Sequence, residues 1–174
     1  MSKTLVIYFS HEGENYNVGT VEVGNTELLA KEIVAKTSAD EFKIVPENNY
    51  PGTYQETIEV ASAEQKSSAR PKYIGDVDIT NYDTIFFGYP IWWEDLPMVV
   101  YSFIEKHNFS GKVVMPFNTH EGSGNAGTNE TLKSLMPGAI LKGDGFNMTG
   151  SIARTEEGIK KINNWLDGLR EFIV

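Results

Sequence analysis

The 174-residue chain contains no cysteine. That excludes disulfides, thiolate metal sites, iron–sulfur clusters and a cysteine nucleophile. Positive charge is also scarce: 15 Lys and Arg stand against 24 Asp and Glu, a net charge of −9. A basic face for nucleic acid or anionic lipid is therefore not expected. The leading apolar run, Leu5 to Phe9, is too short for a membrane span or for the core of a secretion signal. The expectation is a soluble, cytoplasmic protein with neither membrane nor nucleic acid among its partners. There is no Gly-x-Ser-x-Gly elbow, no Walker-type phosphate loop, and no Gly-x-Gly-x-x-Gly after the first apolar run. A hydrolase of the elbow type and an NAD-binding Rossmann domain are thereby disfavoured. Repeats, linkers and low-complexity stretches are missing too, so residues 1–174 read as one domain.

What is present alternates. Continuous apolar runs rich in β-branched and aromatic residues read as strands buried on both faces. They fall at 3–9, 41–45, 83–89 and 112–117, with a last strand at 139–141 continuing around 146–148. Between them, apolar residues at helical spacing predict helices over 25–36, 54–69 and 128–135, and a long one over 155–173. Another helix begins near Asp95, with Pro97 in its first turn. Strands alternating with helices imply βαβ units and a mostly parallel sheet covered on both faces. Two exposed charge pairs on the first helix, Glu27–Lys31 and Glu32–Lys36, have the four-residue spacing of helix-surface ion pairs. His107 reads as a favourable charge at a helix end.

In such sheets, ligands sit beyond the carboxyl ends of the strands. Three polar or aromatic loops follow strands directly: Ser10 to Thr26, Pro90 to Asp95, and Asn118 to Asn125. The first joins hydroxyls and amides to a helix N-terminus, a recipe for holding a phosphate. The second offers aromatic planes and the third glycine-rich backbone. These suit a flat ring and its polar edge. Neighbouring Trp92 and Trp93 cannot both point inward, so one is expected to be exposed.

Val6-Ile7-Tyr8-Phe9-Ser10, followed by Gly24-Asn25-Thr26-Glu27-Leu28-Leu29-Ala30-Lys31-Glu32-Ile33, resembles the flavodoxin family. The match of residue types is interrupted by an insertion, roughly Glu12 to Val23, as in a flavodoxin-like subgroup. The interrupted register is preferred because Thr26, Ala30 and Ile33 then fall in phase. The resemblance implies a flavodoxin-like three-layer sandwich, with a five-stranded parallel sheet of order 2-1-3-4-5. It implies FMN as cofactor. Ser10, Asn25 and Thr26 would hold the phosphate, with His11, Glu12 and Asn15 nearby. Pro90, Ile91, Trp92 and Trp93 would line the ring. Thr119, Glu121, Gly122, Ser123 and Gly124 would meet its pyrimidine end, and His120 is a further candidate donor.

The function expected from that resemblance is electron transfer through non-covalently bound FMN. The alternatives are an NAD(P)H-dependent quinone or flavin oxidoreductase and a cofactor-free binding module on the same fold. Partners would be a redox protein, or a small quinone and NAD(P)H, with the chain a monomer or homodimer.

Overall fold

The computed structural model describes residues 3–173. The chain opens with β1 (Thr4–Tyr8), a hairpin of β2 (Gly13–Asn15) and β3 (Gly19–Val21), and helix α1 (Asn25–Thr37). β4 (Asp40–Lys43), β5 (Val45–Pro46), α2 (Tyr54–Lys66) and β6 (Tyr73–Ile74) follow. Next come β7 (Thr84–Pro90), α3 (Met98–Lys106), β8 (Val113–His120) and α4 (Thr128–Leu135). The chain ends with β9 (Ile140–Leu141), β10 (Phe146–Thr149), α5 (Gly150–Ala153), α6 (Glu156–Asp167) and α7 (Arg170–Ile173).

The main sheet has the order β4-β1-β7-β8-β10, all pairs parallel. Counted along the chain this is the expected 2-1-3-4-5. The fifth position is shared by two short strands, because β9 also pairs with β8. Between them the chain detours at Lys142–Gly145. Gly145 has φ +73, and a Cβ there would lie 2.4 Å from the Pro116 carbonyl oxygen, so only glycine lets the strand rejoin so closely.

Every residue of β1 is buried. Its pleat sends alternate side chains to opposite cores. Leu5 and Ile7 join Ile85, Phe87 and Tyr89 under α3 and α4. Val6 and Tyr8 join Phe86, Met115 and Phe117 under α1 and α6. Each large side chain so buried contributes about 1.5–3 kcal/mol over an exposed one, and two such layers hold the strand ends rigidly in place.

Several expectations need correction. The long C-terminal helix is two, broken at Gly168–Leu169, where glycine is a poor helix former. Its buried stripe runs Gly158, Ile162, Leu166, so Ile159 falls a third of a turn off it and is exposed. α3 starts at Met98, not near Asp95. Asp95 is instead committed to a turn, its carboxylate accepting from the Leu96 amide (2.7 Å) and the Tyr101 hydroxyl (2.9 Å). Asn118, Thr119 and His120 belong to β8 rather than to a loop, since the neighbouring strands continue alongside them. The α1 charges find tertiary partners in place of local ones: Lys31 pairs with Glu41, Lys36 with Asp167, Glu27 with Lys43, and Glu32 accepts from Asn163. His107 does lie at the end of α3, as its C-cap, stacked on Phe103 at 4.1 Å, with its ring nitrogens 2.8 Å from the Phe103 carbonyl and 2.8 Å from Asp76.

Candidate functional site

β1 runs out into Phe9, Ser10 and His11, all buried. Gly24, the residue before α1, packs directly on this exit. A Cβ at Gly24 would lie 2.3 Å from Ser10 Oγ and 2.5 Å from the His11 carbonyl oxygen. Glycine therefore lets the first turn of α1 close onto the strand end. No side chain of Gly24 can cap the helix. Ser10 does part of that work from outside, its hydroxyl accepting from the Glu27 amide at 3.0 Å. Ser10 and the α1 N-terminus thus meet across the intervening insertion, as the interrupted register requires.

The insertion is itself a hairpin. Its turn is closed by the Val18 amide donating to the Asn15 carbonyl (3.1 Å), with Asn17 at φ 56. The hairpin is tied down at several points. Asn15 Nδ2 donates to the His11 carbonyl (3.1 Å), and the Glu14 amide donates to the Gly52 carbonyl (2.9 Å). The Glu14 carboxylate accepts from the Tyr54 amide at 2.8 Å, a favourable charge at the N-terminus of α2. This brings Tyr16 against Tyr54, ring centres 5.5 Å apart.

After β7, the Ile91 amide donates to the Thr119 carbonyl (2.9 Å), holding the second loop to the end of β8. Residues 92–95 form a tight turn in which Trp93 and Glu94 both have positive φ, closed by reciprocal amide–carbonyl bonds between Trp92 and Asp95. Trp92 turns inward, edge-on to Phe9 (5.3 Å), Tyr50 (4.9 Å) and His11 (5.7 Å). Trp93 is 52% exposed, its indole N–H donating to the Ile58 carbonyl at 3.0 Å. One tryptophan is inside and one outside, as expected.

At the end of β8, Thr119 Oγ1 lies 2.8 Å from Thr26 Oγ1, a buried pair joining the strand end to the first turn of α1. His120 is held at both nitrogens: Nδ1 accepts from the Gly122 amide (3.0 Å), so Nε2 carries the proton and donates to Asn147 Oδ1 (3.0 Å). Glu121 accepts from the Gly150 amide at 2.8 Å.

These segments enclose a cleft of about 230 Å³. Ten of the sixteen expected site residues line it: His11, Asn15, Asn25, Pro90, Ile91, Trp92, Trp93, Thr119, His120 and Glu121. Ser10 and Glu12 line a second cavity instead, beside Lys43 and Tyr50. Thr26 lies behind the wall, 1% exposed. Gly122, Ser123 and Gly124 stand outside it, in the turn after β8. Sequence reasoning missed Glu14, Tyr16, Tyr54, Thr57, Ile58 and Ala61. Tyr54, Ile58 and Ala61 share one helical face at the i, i+4, i+7 spacing, which was the available signal.

The electrostatics divide the cleft. Burial holds His11 below its ordinary pKa, against the opposing pull of Glu12, and its buried Nε2 has no partner. Lys43 bridges Glu12 and Glu27; burial works against its charge, but the two carboxylates outweigh that and raise its pKa. Glu14 and Glu121 bring carboxylates to the rim. One end therefore offers amides, hydroxyls and the α1 dipole, and the other offers aromatic planes. Among the described residues no cluster of three His, Asp or Glu could hold a metal ion. Among them, too, no helix is long and apolar enough to cross a membrane.

A family model described as flavodoxin matches residues 3–169. A solved structure from Bacteroides eggerthii, provisionally assigned as a flavoprotein, is 31% identical, with 98% of this chain and 99% of that one covered and a TM-score of 0.74. Another from Bacteroides uniformis, assigned likewise, is 26% identical, covers 95% and 98%, and has a TM-score of 0.75. A Lactobacillus acidophilus flavoprotein solved in complex with FMN shares 18% identity over 95% and 99%, at a TM-score of 0.65. No curated protein sequence matches the chain.

Proposed function

The chain belongs to the flavodoxin family, and from that premise we propose that it binds FMN non-covalently and transfers electrons through it. The observation that carries this reading is the junction of β1 and α1. There a glycine-tight helix N-terminus, its first turn uncapped by Gly24, packs on the backbone of His11, whose buried Nε2 has no partner. Such a corner suits an anion with several acceptor oxygens. When bound, FMN supplies the redox chemistry at its ring.

The protein's part is to bind, orient and shield. Asn25 and the first amides of α1 hold the phosphate, with Ser10 bracing the helix from behind through the Glu27 amide, and His11 Nε2 stands ready as one more hydrogen-bonding group. Thr26 and Thr119 lock the first turn of α1 to the end of β8 behind it. Trp92 and Trp93 take the ring, one anchored in the core and one open to solvent. Backbone at Thr119 to Glu121 meets the polar edge. The Glu14 carboxylate, which lines the cleft, opposes added negative charge there. A carboxylate about 10 Å from such charge opposes it by roughly 1–2 kcal/mol before salt screening. Electrons held there are correspondingly easier to give up.

A second reading, an NAD(P)H-dependent quinone or flavin oxidoreductase, is favoured by one feature. The Tyr16–Tyr54 pair adds an aromatic wall beyond the two tryptophans. Purified protein tests both readings. Absorbance bands near roughly 370 and 450 nm that return when FMN is added to stripped protein support FMN binding. A colourless protein indifferent to FMN overturns it. Rapid bleaching by NADPH with turnover of a quinone would favour the enzyme over the carrier.

A further inference from the structure

Arg154, at the end of α5, has no part in the resemblance and lies far from the expected site in sequence. Its side chain nevertheless reaches the α1 N-terminus. Nε donates to Asn25 Oδ1 at 3.0 Å, and a terminal nitrogen donates to the Val23 carbonyl. Among the described residues, no carboxylate pairs with it. Partial burial weighs against its charge. An exposed cation that pairs with no carboxylate is thus placed beside the positive end of a helix.

The geometry has a second consequence. A guanidinium only donates, so Asn25 must turn Oδ1 toward Arg154 and its NH₂ the other way. That NH₂ rests on Gly150, where a Cβ would lie 2.1 Å from Nδ2, and Asn25 lines the cleft. The same Gly150 amide binds Glu121, which puts a carboxylate at this end of the cleft as well. A phosphate arriving here meets that negative charge, and Arg154 is the cation placed to offset it.

We propose that Arg154 is the positioning residue of the phosphate end: it orients the Asn25 amide toward the ligand and supplies the positive charge that selects a phosphorylated flavin over an unphosphorylated one. This rests on the reading that FMN binds with its phosphate at the α1 N-terminus. Gly150 belongs to the same device, since any side chain there would displace Asn25.

The test compares FMN with riboflavin in fluorescence titrations of the full, flavin-stripped chain. The unmodified protein is expected to prefer FMN strongly. In Arg154→Gln, FMN affinity should fall roughly tenfold to a hundredfold, the range of a charge-assisted hydrogen bond, with riboflavin affinity unchanged. Arg154→Lys keeps the charge and loses the fork, so it should recover part of the preference. In an Asn25→Ala background the Arg154→Gln loss should shrink, because the two residues act together. If Arg154→Gln keeps the full preference for FMN, the assignment of Arg154 fails and the phosphate reading stands. If it loses FMN and riboflavin in equal measure, Arg154 is a structural residue and the assignment again fails. If the unmodified chain does not distinguish the two flavins, the phosphate reading itself is overturned, and Arg154's role with it.

Discussion

The two ends of the cleft are built on opposite plans. At the β1–α1 end, Gly24, Asn25 and Thr26 are buried, packed without slack and tied by short hydrogen bonds. At the aromatic end, Trp93 and Tyr16 are each more than half exposed, and they are positioned by a turn and a hairpin rather than by core packing. A phosphate needs fixed donors at fixed distances, and close backbone packing provides that. A flat ring needs area, and exposed aromatic side chains provide area with room for approach. Damage at the first end should therefore cost stability and binding together. Damage at the second should cost binding alone.

The largest effect is expected at Gly24. Gly24→Val drives side-chain atoms into Ser10 and the His11 carbonyl. Overpacking of this kind costs roughly 1–3 kcal/mol or more, so urea denaturation should show a lower midpoint and flavin titration a near loss of binding. Thr26→Val comes next. It leaves the buried Thr119 hydroxyl without its partner, a cost of about 1–3 kcal/mol. Replacing both threonines by valine should recover much of that, because neither position then holds an unpaired polar group. A double variant as unstable as the single would break the comparison, since the hydroxyl pair would then not be what ties α1 to β8.

Trp93→Ala should weaken FMN by roughly 0.5–1.5 kcal/mol, the share of an aromatic contact beyond simple burial, while the denaturation midpoint barely moves. A large loss of stability there would erase the distinction between the two ends. The smallest effect concerns His11. Its folded pKa lies below the ordinary 6.5 because of burial. The unfolded chain then binds more protons than the folded one as pH falls through that value. The His11 contribution to stability is present above about pH 6.5 and is lost as pH falls toward the folded pKa. Denaturation of flavin-free protein at several pH values should show this acid-side slope, and His11→Asn should flatten it.

Much of this arrangement was legible in the sequence, for identifiable reasons. The apolar runs marked strands buried on both faces, and the residues that follow them were bound to end at one edge of the sheet. That placed Ser10, Pro90 to Trp93, and Thr119 to Glu121 together. The interruption between Ser10 and Gly24 was readable because helical phase resumes at Thr26. The hairpin inside it was not, because Gly13–Asn15 and Gly19–Val21 have too few apolar residues to show alternation. Tyr16 and Tyr54 meet only because Glu14 docks the hairpin on α2, a tertiary contact with no local signature. Arg154 escaped for the same reason: it reaches Asn25 from α5, across the fold. Charge pairing failed differently. The spacing of Glu27, Lys31, Glu32 and Lys36 was right for local pairs, but neighbouring elements offered closer partners.

The most direct measurement is a crystal structure of the chain with FMN bound. The account predicts the phosphate at the first turn of α1, within hydrogen-bonding distance of Asn25, and the ring against the Trp92–Trp93 turn. A phosphate bound elsewhere, or a cleft that stays closed by the protein's own side chains in excess FMN, would contradict it.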